Sequence, residues 1–230
     1  KLYAEASDEL NSGNYNKAVQ YFERLESRYP FGRYAQQAQM KIAYAYYKQG
    51  EQAQCLAAVE RFIRLHPNHE HVDYMYYLRG LANFNDRKGL FDFVISQDPT
   101  ERDPKAVRAA FDAFKQLVER YPQSRYAEDS RYRLVYLVEV MAKYEVHVAR
   151  FYYGKGAYVA AVNRAQNVLR NYPSTDAVKS ALQVQILAYE AMGMKELRDD
   201  AKRVYELNYK REDLKAMRTP VDTKPWWQIW

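Results

Sequence analysis

The residues best placed by type and spacing to do chemistry are His66, His69, Glu70 and His71. Imidazoles and a carboxylate this close together are potential zinc ligands, but a zinc site needs four donors in a tetrahedron. Pro67 and Asn68 interrupt the run, and no spacing elsewhere specifies a distant ligand, so neither a metal nor another cofactor is expected. The single cysteine, Cys55, excludes an internal disulfide. It stands where the surrounding pattern calls for a small buried residue, which makes it a structural thiol rather than a reactive one. The sequence holds no phosphate-cradling glycine loop, no G-x-S-x-G elbow and no H-E-x-x-H. Its carboxylates are plentiful, yet none is marked out as a paired acid and base. No catalytic role is expected.

The elements that carry these residues are legible from composition and punctuation. With 230 residues, 48% hydrophobic and 28% charged, the chain is globular, of one domain or two. Eight glycines and eight prolines are too few for the frequent turns of a β-sandwich. Tyrosine stands out, with 23 copies; its large ring and polar tip suit helix surfaces that are half core and half binding groove. The formal charge of +6 is interleaved, as in Glu23-Arg24 and Glu119-Arg120. A nucleic-acid binder concentrates its basic residues on one face. Interleaving fits a solvated helix surface, an acidic protein partner or an anionic membrane surface. No apolar run approaches the ~18 residues that span a bilayer. The chain opens on Lys1 with no signal-peptide pattern, and a targeting segment removed ahead of it would leave no trace.

Four pairs punctuate the chain: Tyr29-Pro30, His66-Pro67, Tyr121-Pro122 and Tyr172-Pro173. Proline cannot continue a helix and pushes its predecessor out of helical geometry, so each pair ends one. Gly13, Gly50 and Gly156 each lie 17 residues before such a proline. Between them recur Ala18, Phe22 and Leu25, then Cys55, Val59 and Phe62, then Ala161, Ala165 and Val168; Ala110, Phe114 and Leu117 form a copy that lacks the glycine. Steps of four and three make one apolar helix stripe. The glycine is expected in the tight turn ahead of the stripe, where a β-carbon would clash. Upstream lie partner helices, with Ala35, Ala38, Ile42, Ala43 and Tyr46 before Gly50, and Ala181, Leu182, Ile186, Ala188 and Tyr189 before Gly193. The unit is helix-turn-helix with a period near the roughly 34 residues of a tetratricopeptide repeat. The predicted fold is an all-α superhelical solenoid.

The prolines are 37, then 55, then 51 residues apart, so later units carry insertions. One, residues 85–105, has the loop signals Gly89, Asp98-Pro99 and Asp103-Pro104 around an apolar patch of Leu90, Phe91, Phe93, Val94 and Ile95. The patch either folds back on the scaffold or is offered to a partner. The other is a helix predicted over 126–153, free of Gly and Pro, roughly 40 Å long and suited to bracing two halves of the array. A fifth unit after Gly193 has Leu197, Ala201 and Tyr205 but no closing proline, and its last helix is basic, with Lys202, Arg203, Lys210, Arg211, Lys215 and Arg218. That helix is either a polar cap or an electrostatic docking surface. The expected division is N-terminal repeats over 1–105, C-terminal repeats over 106–218, and a tail over 219–230 whose Trp226, Trp227 and Trp230 are costly to leave in water.

Strings outside the generic repeat narrow the family. Arg28-Tyr29-Pro30-Phe31-Gly32 with Tyr34 and Gln36-Gln37, Ala45-Tyr46-Tyr47-Lys48, Arg61-Phe62-Ile63-Arg64-Leu65, and Tyr77 with Arg79-Gly80-Leu81 resemble the BamD/ComL family. So do Arg102-Asp103-Pro104 with Arg108-Ala109-Ala110-Phe111, Ala142-Lys143-Tyr144-Glu145, and Val162-Asn163-Arg164. These are tetratricopeptide lipoproteins of the bacterial β-barrel assembly machinery, and the resemblance runs from about Tyr3 to Leu207. It implies five repeats, a lipidated N-terminal cysteine outside this sequence, and residence on the periplasmic face of the outer membrane. It further implies that the C-terminal repeats dock on the POTRA region of the central barrel subunit, while the N-terminal repeats engage unfolded barrel clients and another lipoprotein of the complex. Arg164 matches a position tied to docking, and Tyr29 lies in the junction of the client-binding end. After about Asn208 the chain departs from the family pattern, so the basic helix and the Trp-rich tail have no counterpart.

The residues themselves agree with such a role. Tyr29, Phe31, Tyr34, Tyr44 and Tyr47 put several rings in the first two repeats, either as a shallow aromatic pocket for an extended client strand or as inter-helix packing. Arg164 offers a planar fork that holds a carboxylate in two hydrogen bonds, and Lys202 and Arg203 supply positive charge for a partner. Competing roles are another periplasmic tetratricopeptide adaptor, in envelope constriction or secretion, and a basic repeat that binds nucleic acid with a steep salt dependence.

Overall fold

The computed structural model describes residues 1–84 and 104–209. The apolar patch of 85–103, the later basic residues from Lys210 onward and the three tryptophans lie outside them. Among the described residues there are ten α-helices and no strand: α1 (Leu2–Asn11), α2 (Tyr15–Arg28), α3 (Arg33–Gln49), α4 (Gln52–Leu65), α5 (Val72–Phe84), α6 (Pro104–Arg120), α7 (Ala127–Gly154), α8 (Tyr158–Asn171), α9 (Ala177–Ala191) and α10 (Lys195–Asn208). The fold is all-α and of the tetratricopeptide type. The chain forms two compact units, Lys1–Val138 and Glu139–Trp230, with the division inside α7.

The four proline pairs end helices as their chemistry requires. Tyr29, His66 and Tyr172 leave helical geometry at φ between −137° and −132°, yet each N–H still donates to the carbonyl four residues back, at 2.9, 2.8 and 2.9 Å. Tyr121 does the same onto Leu117 at 2.8 Å. The glycines close the opposite turns. At Gly50 (φ 71°) the glycine N–H donates to Tyr47 and the next N–H, of Glu51, donates to Tyr46, both at 2.9 Å. That pair of bonds is a Schellman cap, and it recurs at Gly13, Gly156 and Gly193. A β-carbon added at Gly13, Gly156 or Gly193 would meet open space. The expected clash is therefore absent, and the left-handed backbone alone selects glycine there.

The repeated stripe is the core. In unit 1, Ala18, Phe22 and Leu25 of α2 pack with Ala6 and Leu10 of α1 and with Ala38 and Ile42 of α3. Cys55, Val59 and Phe62 of α4 pack between Ala43 of α3 and Met75 and Leu78 of α5. In unit 2, Ala161, Ala165 and Val168 of α8 pack with Ala142 and Val146 of α7 and with the largely buried face of α9. The small residue of each copy, Ala18, Cys55, Ala110 or Ala161, is 0% exposed, which lets two helix backbones approach. α7 runs 28 residues, within one residue of the predicted ends.

The last helix departs from this scheme. Counted from its glycine, α10 has Arg198 and Lys202 where the other copies have the first two core residues, and only the third, Tyr205, is a large buried group. Ala201 is buried beside it, whereas Leu197, expected in the stripe, is 47% exposed.

Candidate functional site

Three of the expected client-contact residues fall at one place. Tyr29 caps α2, Phe31 follows Pro30, and Tyr34 begins α3, so a single tight connection presents three rings. The connection is held by Gly32 N–H donating to the Tyr29 carbonyl and Ala35 N–H donating to the Gly32 carbonyl. Tyr29 and Tyr34 are 58% and 49% exposed and Phe31 is 99% exposed, the largest value for any apolar side chain described. Tyr3 of α1 meets the Tyr34 ring at a centroid distance of 5.3 Å and also packs on Phe22 at 5.8 Å, tying the patch to the core. An aromatic group open to water on a rigid turn is a contact surface for an apolar side chain.

Tyr47 does not join this group. It lies 13 residues after Tyr34 on α3, about 20 Å along the axis and roughly 140° around it. It is half-buried against the α4–α5 core, as is Tyr46, and Tyr44 packs on the first core.

Arg164 of α8 is 45% exposed and already has a carboxylate. Its Nη1 donates to Glu145 of α7, 3.2 Å from Oε2 and 3.5 Å from Oε1. Glu145 is the more buried partner, at 15%. Sequence reasoning had both strings that contain this pair and missed that they meet; opposite charges 19 positions apart on consecutive helices were the available signal. A shallow groove of about 600 Å³ opens beside this end of α8, lined by Gly156, Tyr158, Val159, Asn163 and Met192. Lys202 and Arg203 lie on α10, both exposed, and Arg203 donates to Asp200 one turn earlier at 2.9 Å. α8 and α10 each pack against α9.

The histidine run holds a turn. His66 Nε2 lies 3.1 Å from Gln39 Oε1, and His71 donates its backbone N–H to His69 Nδ1 at 3.0 Å. Phe62 packs against both His66 and His69, at 5.0 and 5.2 Å. Burial, with His71 close by, lowers the His69 pKa from its ordinary value. Gln39 also donates to Glu26, which takes a second bond from Arg61, so α2, α3 and α4 share one polar network. Among the described residues, no three His, Cys, Asp or Glu side chains converge on a metal-sized site. Cys55 is fully buried, and burial pushes its thiol up to about 12.

A second polar cluster joins α5, α6 and α7 within unit 1. Tyr77 stacks on Tyr126 at 4.7 Å and donates to Asp129 at 2.8 Å, and Asp129 also accepts from Arg133 at 2.6 Å. Arg79 donates to Glu60 and Gln116 and lies over the Tyr76 ring. Among the described residues no helix is long and apolar enough to cross a membrane.

Comparison with known proteins agrees with this architecture. The family model YfiO, described as outer membrane lipoprotein, matches residues 1–204. The outer membrane protein assembly factor BamD of Neisseria meningitidis serogroup A is 47% identical over 230 residues, which is 100% of this chain and 86% of that protein. Proteins of the same name from Vibrio cholerae serotype O1 and Haemophilus influenzae are 40% and 30% identical over 208 residues, 90% of this chain and 86% and 79% of theirs. The Neisseria alignment extends through the tail, so the segment after Asn208 does have a counterpart in a relative, contrary to expectation.

Proposed function

This chain belongs to the outer membrane lipoprotein family of the BamD assembly factors, and from that premise we propose that it is a non-catalytic scaffold subunit of the machinery that assembles β-barrel proteins in the outer membrane. In this reading it is held by a lipid on the periplasmic face and binds two kinds of partner.

The observation that carries the reading is the aromatic turn at Tyr29, Phe31 and Tyr34. A membrane barrel strand alternates outward apolar residues with inward polar ones and is bordered by aromatic girdles. Before insertion, such a strand exposes rings that an aromatic turn can take, while its backbone stays free for other partners. Tyr47 lies about 20 Å along α3 and roughly 140° around it from Tyr34, so a straight strand seated on the aromatic turn does not also lie on Tyr47, which serves a client as a separate contact. At the other end of the chain, Arg164, Lys202 and Arg203 offer positive charge to the POTRA region of a central barrel subunit, and the accompanying lipoproteins of the complex share the remaining surface.

Photo-crosslinking probes placed singly at Phe31, Tyr34 and Tyr47, with Val135 and Leu65 as exposed controls, test the client surface. A peptide carrying the last strand of a barrel protein should be captured at Phe31 and Tyr34 and not at the controls. Capture at the controls alone defeats the assignment. Loss of binding to the central subunit's periplasmic domains in Arg164→Ala, with α-helical content unchanged, tests the docking surface.

A further inference from the structure

Arg28-Tyr29-Pro30-Phe31-Gly32-Arg33-Tyr34-Ala35 and Arg120-Tyr121-Pro122-Gln123-Ser124-Arg125-Tyr126-Ala127 are one turn written twice in unit 1, identical at six of eight positions. In the second copy the last ring, Tyr126, is half-buried. It stacks on Tyr77 at 4.7 Å and meets Tyr74 at 5.5 Å, both from α5. The matching ring of the first copy, Tyr34, leans on Tyr3 of α1 at 5.3 Å. In both copies a tyrosine at the start of one helix is seated on rings from the helix two before it, α5 for α7 and α1 for α3. The copies differ in what they expose: Phe31 stands where the second has Gln123, and Tyr34 is 49% exposed. The second turn is built as packing and the first as a surface, on the same seating.

Tyr3 is itself fixed. Its ring stands edge-on to Phe22 at 5.8 Å and 64°, and Phe22 is fully buried. Tyr3, Ala6 and Leu10 follow at steps of three and four, so they share the face that α1 lays on the first core. α1 packs chiefly on α2 and only lightly on α3, and Tyr3, in its first turn, reaches the start of α3. Phe22, Tyr3 and Tyr34 thus form a chain of rings from the core to the surface. A side chain at a helix start can turn among three staggered wells, and a ring wedged on one side loses part of that freedom. A group already held in its bound orientation spares a ligand the cost of ordering it.

We propose that Tyr3 is a positioning residue for the aromatic turn: it sets the orientation in which Tyr34 offers its ring to a client strand, and acts through Tyr34 without touching the strand itself. The inference rests on the reading of the turn as a client surface. It makes α1, which contributes no exposed ring of its own, the element that decides whether that surface is in binding form.

With 4-trifluoromethylphenylalanine in place of Tyr34, the fluorine resonance reports how that ring is seated. It should move toward the free amino acid in Tyr3→Ala and stay in place in Tyr3→Phe, which keeps the ring. This measurement uses no client, and a resonance indifferent to Tyr3→Ala overturns the proposal. A fluorescent barrel-strand peptide should bind Tyr3→Ala at least about threefold more weakly, the ratio of three wells to one, and Tyr3→Phe as well as the parent. In a Tyr34→Ala background Tyr3→Ala should cost nothing more; a further loss there would mean that Tyr3 does not act through Tyr34. Leu10, buried near the other end of α1, supplies the control for general loosening. An affinity loss in Leu10→Ala equal to that in Tyr3→Ala, with both folded by circular dichroism, would make the effect one of fraying. Either of these results also overturns the proposal. Unchanged affinity in Tyr34→Ala alone would instead sink the client reading, a failure told apart by a fluorine line that still follows Tyr3.

Discussion

Arg164 and Glu145 face each other across α8 and α7 with one guanidinium nitrogen shared between both carboxylate oxygens, at 3.2 and 3.5 Å. The pair orients the guanidinium while leaving it 45% exposed, so the fork is held in place with edges still open to a partner. An ion pair this exposed contributes about 0–1 kcal/mol to stability. Arg164→Ala should therefore lower the unfolding free energy by less than about 1 kcal/mol in a urea titration. On the docking assignment, binding to the central subunit, measured by calorimetry, should fall by about tenfold or more, since removing one side of a desolvated charge pair costs about 2–5 kcal/mol. Arg164→Lys should bind nearly as poorly as Arg164→Ala, because a point charge does not reproduce the fork.

Phe31 is 99% exposed and contributes no core packing. Phe31→Ala should leave the thermal midpoint within about 1 °C of the parent, as surface substitutions usually stay within about 0.5 kcal/mol. A barrel-strand peptide should bind the variant several-fold more weakly in fluorescence polarisation. Tyr29 caps α2 through its backbone N–H, which alanine keeps, so Tyr29→Ala should weaken peptide binding in the same way with little change in stability.

Gly80 sits in the middle of α5, where alanine ordinarily stabilises by about 0.5–1 kcal/mol. A β-carbon there would stand 2.4 Å from Cε1 of Phe114 on α6. That ring is 0% exposed and lies against Tyr77 and Phe84, so it has nowhere to move. The sign should invert: Gly80→Ala should destabilise by about 1–3 kcal/mol, read as a lower urea midpoint at unchanged slope.

Burial raises the Cys55 thiol to about 12 and the Tyr77 phenol to about 12, from ordinary values of 9.0 and 10.0. Tyr74 shifts in the same direction for the same reason. Each group stays protonated in the folded chain at a pH where the unfolded chain has released the proton. Stability is therefore whole below pH 9 and declines as pH rises from 9 toward 12. The thermal midpoint should fall across that range, and Cys55→Ala should flatten the first part of the decline. At pH 8 a thiol reagent should label Cys55 only after denaturant is added.

The sequence read well wherever the signal was local. Proline at 30, 67, 122 and 173 removes a donor and twists its predecessor, and all four helix ends fall there. The four-and-three spacing of Ala18, Phe22 and Leu25 predicted burial at each copy that began with a small residue. It failed at Leu197, where spacing from Ala201 suggested the core but the offset from Gly193 puts Arg198 in the equivalent place. The turn glycines were right in position and wrong in cause, because steric room around a residue is a tertiary property whereas φ is set by the turn itself. Gly80 and Phe114 are 34 positions apart, and nothing along the chain announces that one must make room for the other. Of the candidate site, the aromatic turn was legible because Tyr29, Phe31 and Tyr34 are near neighbours; the separation of Tyr47 and the pairing of Arg164 with Glu145 required the packing.

Within each unit the principal helix contacts join consecutive helices, with a few between next neighbours. Little chain has to be looped out before any of these contacts forms, so closure entropy is small and folding should be quick, in the microsecond-to-millisecond range of helical proteins. A polypeptide that arrives one end first can fasten each hairpin on the one before it as it appears. It also frays from its ends inward, one hairpin at a time, so damage at one terminus need not spread to the next hairpin.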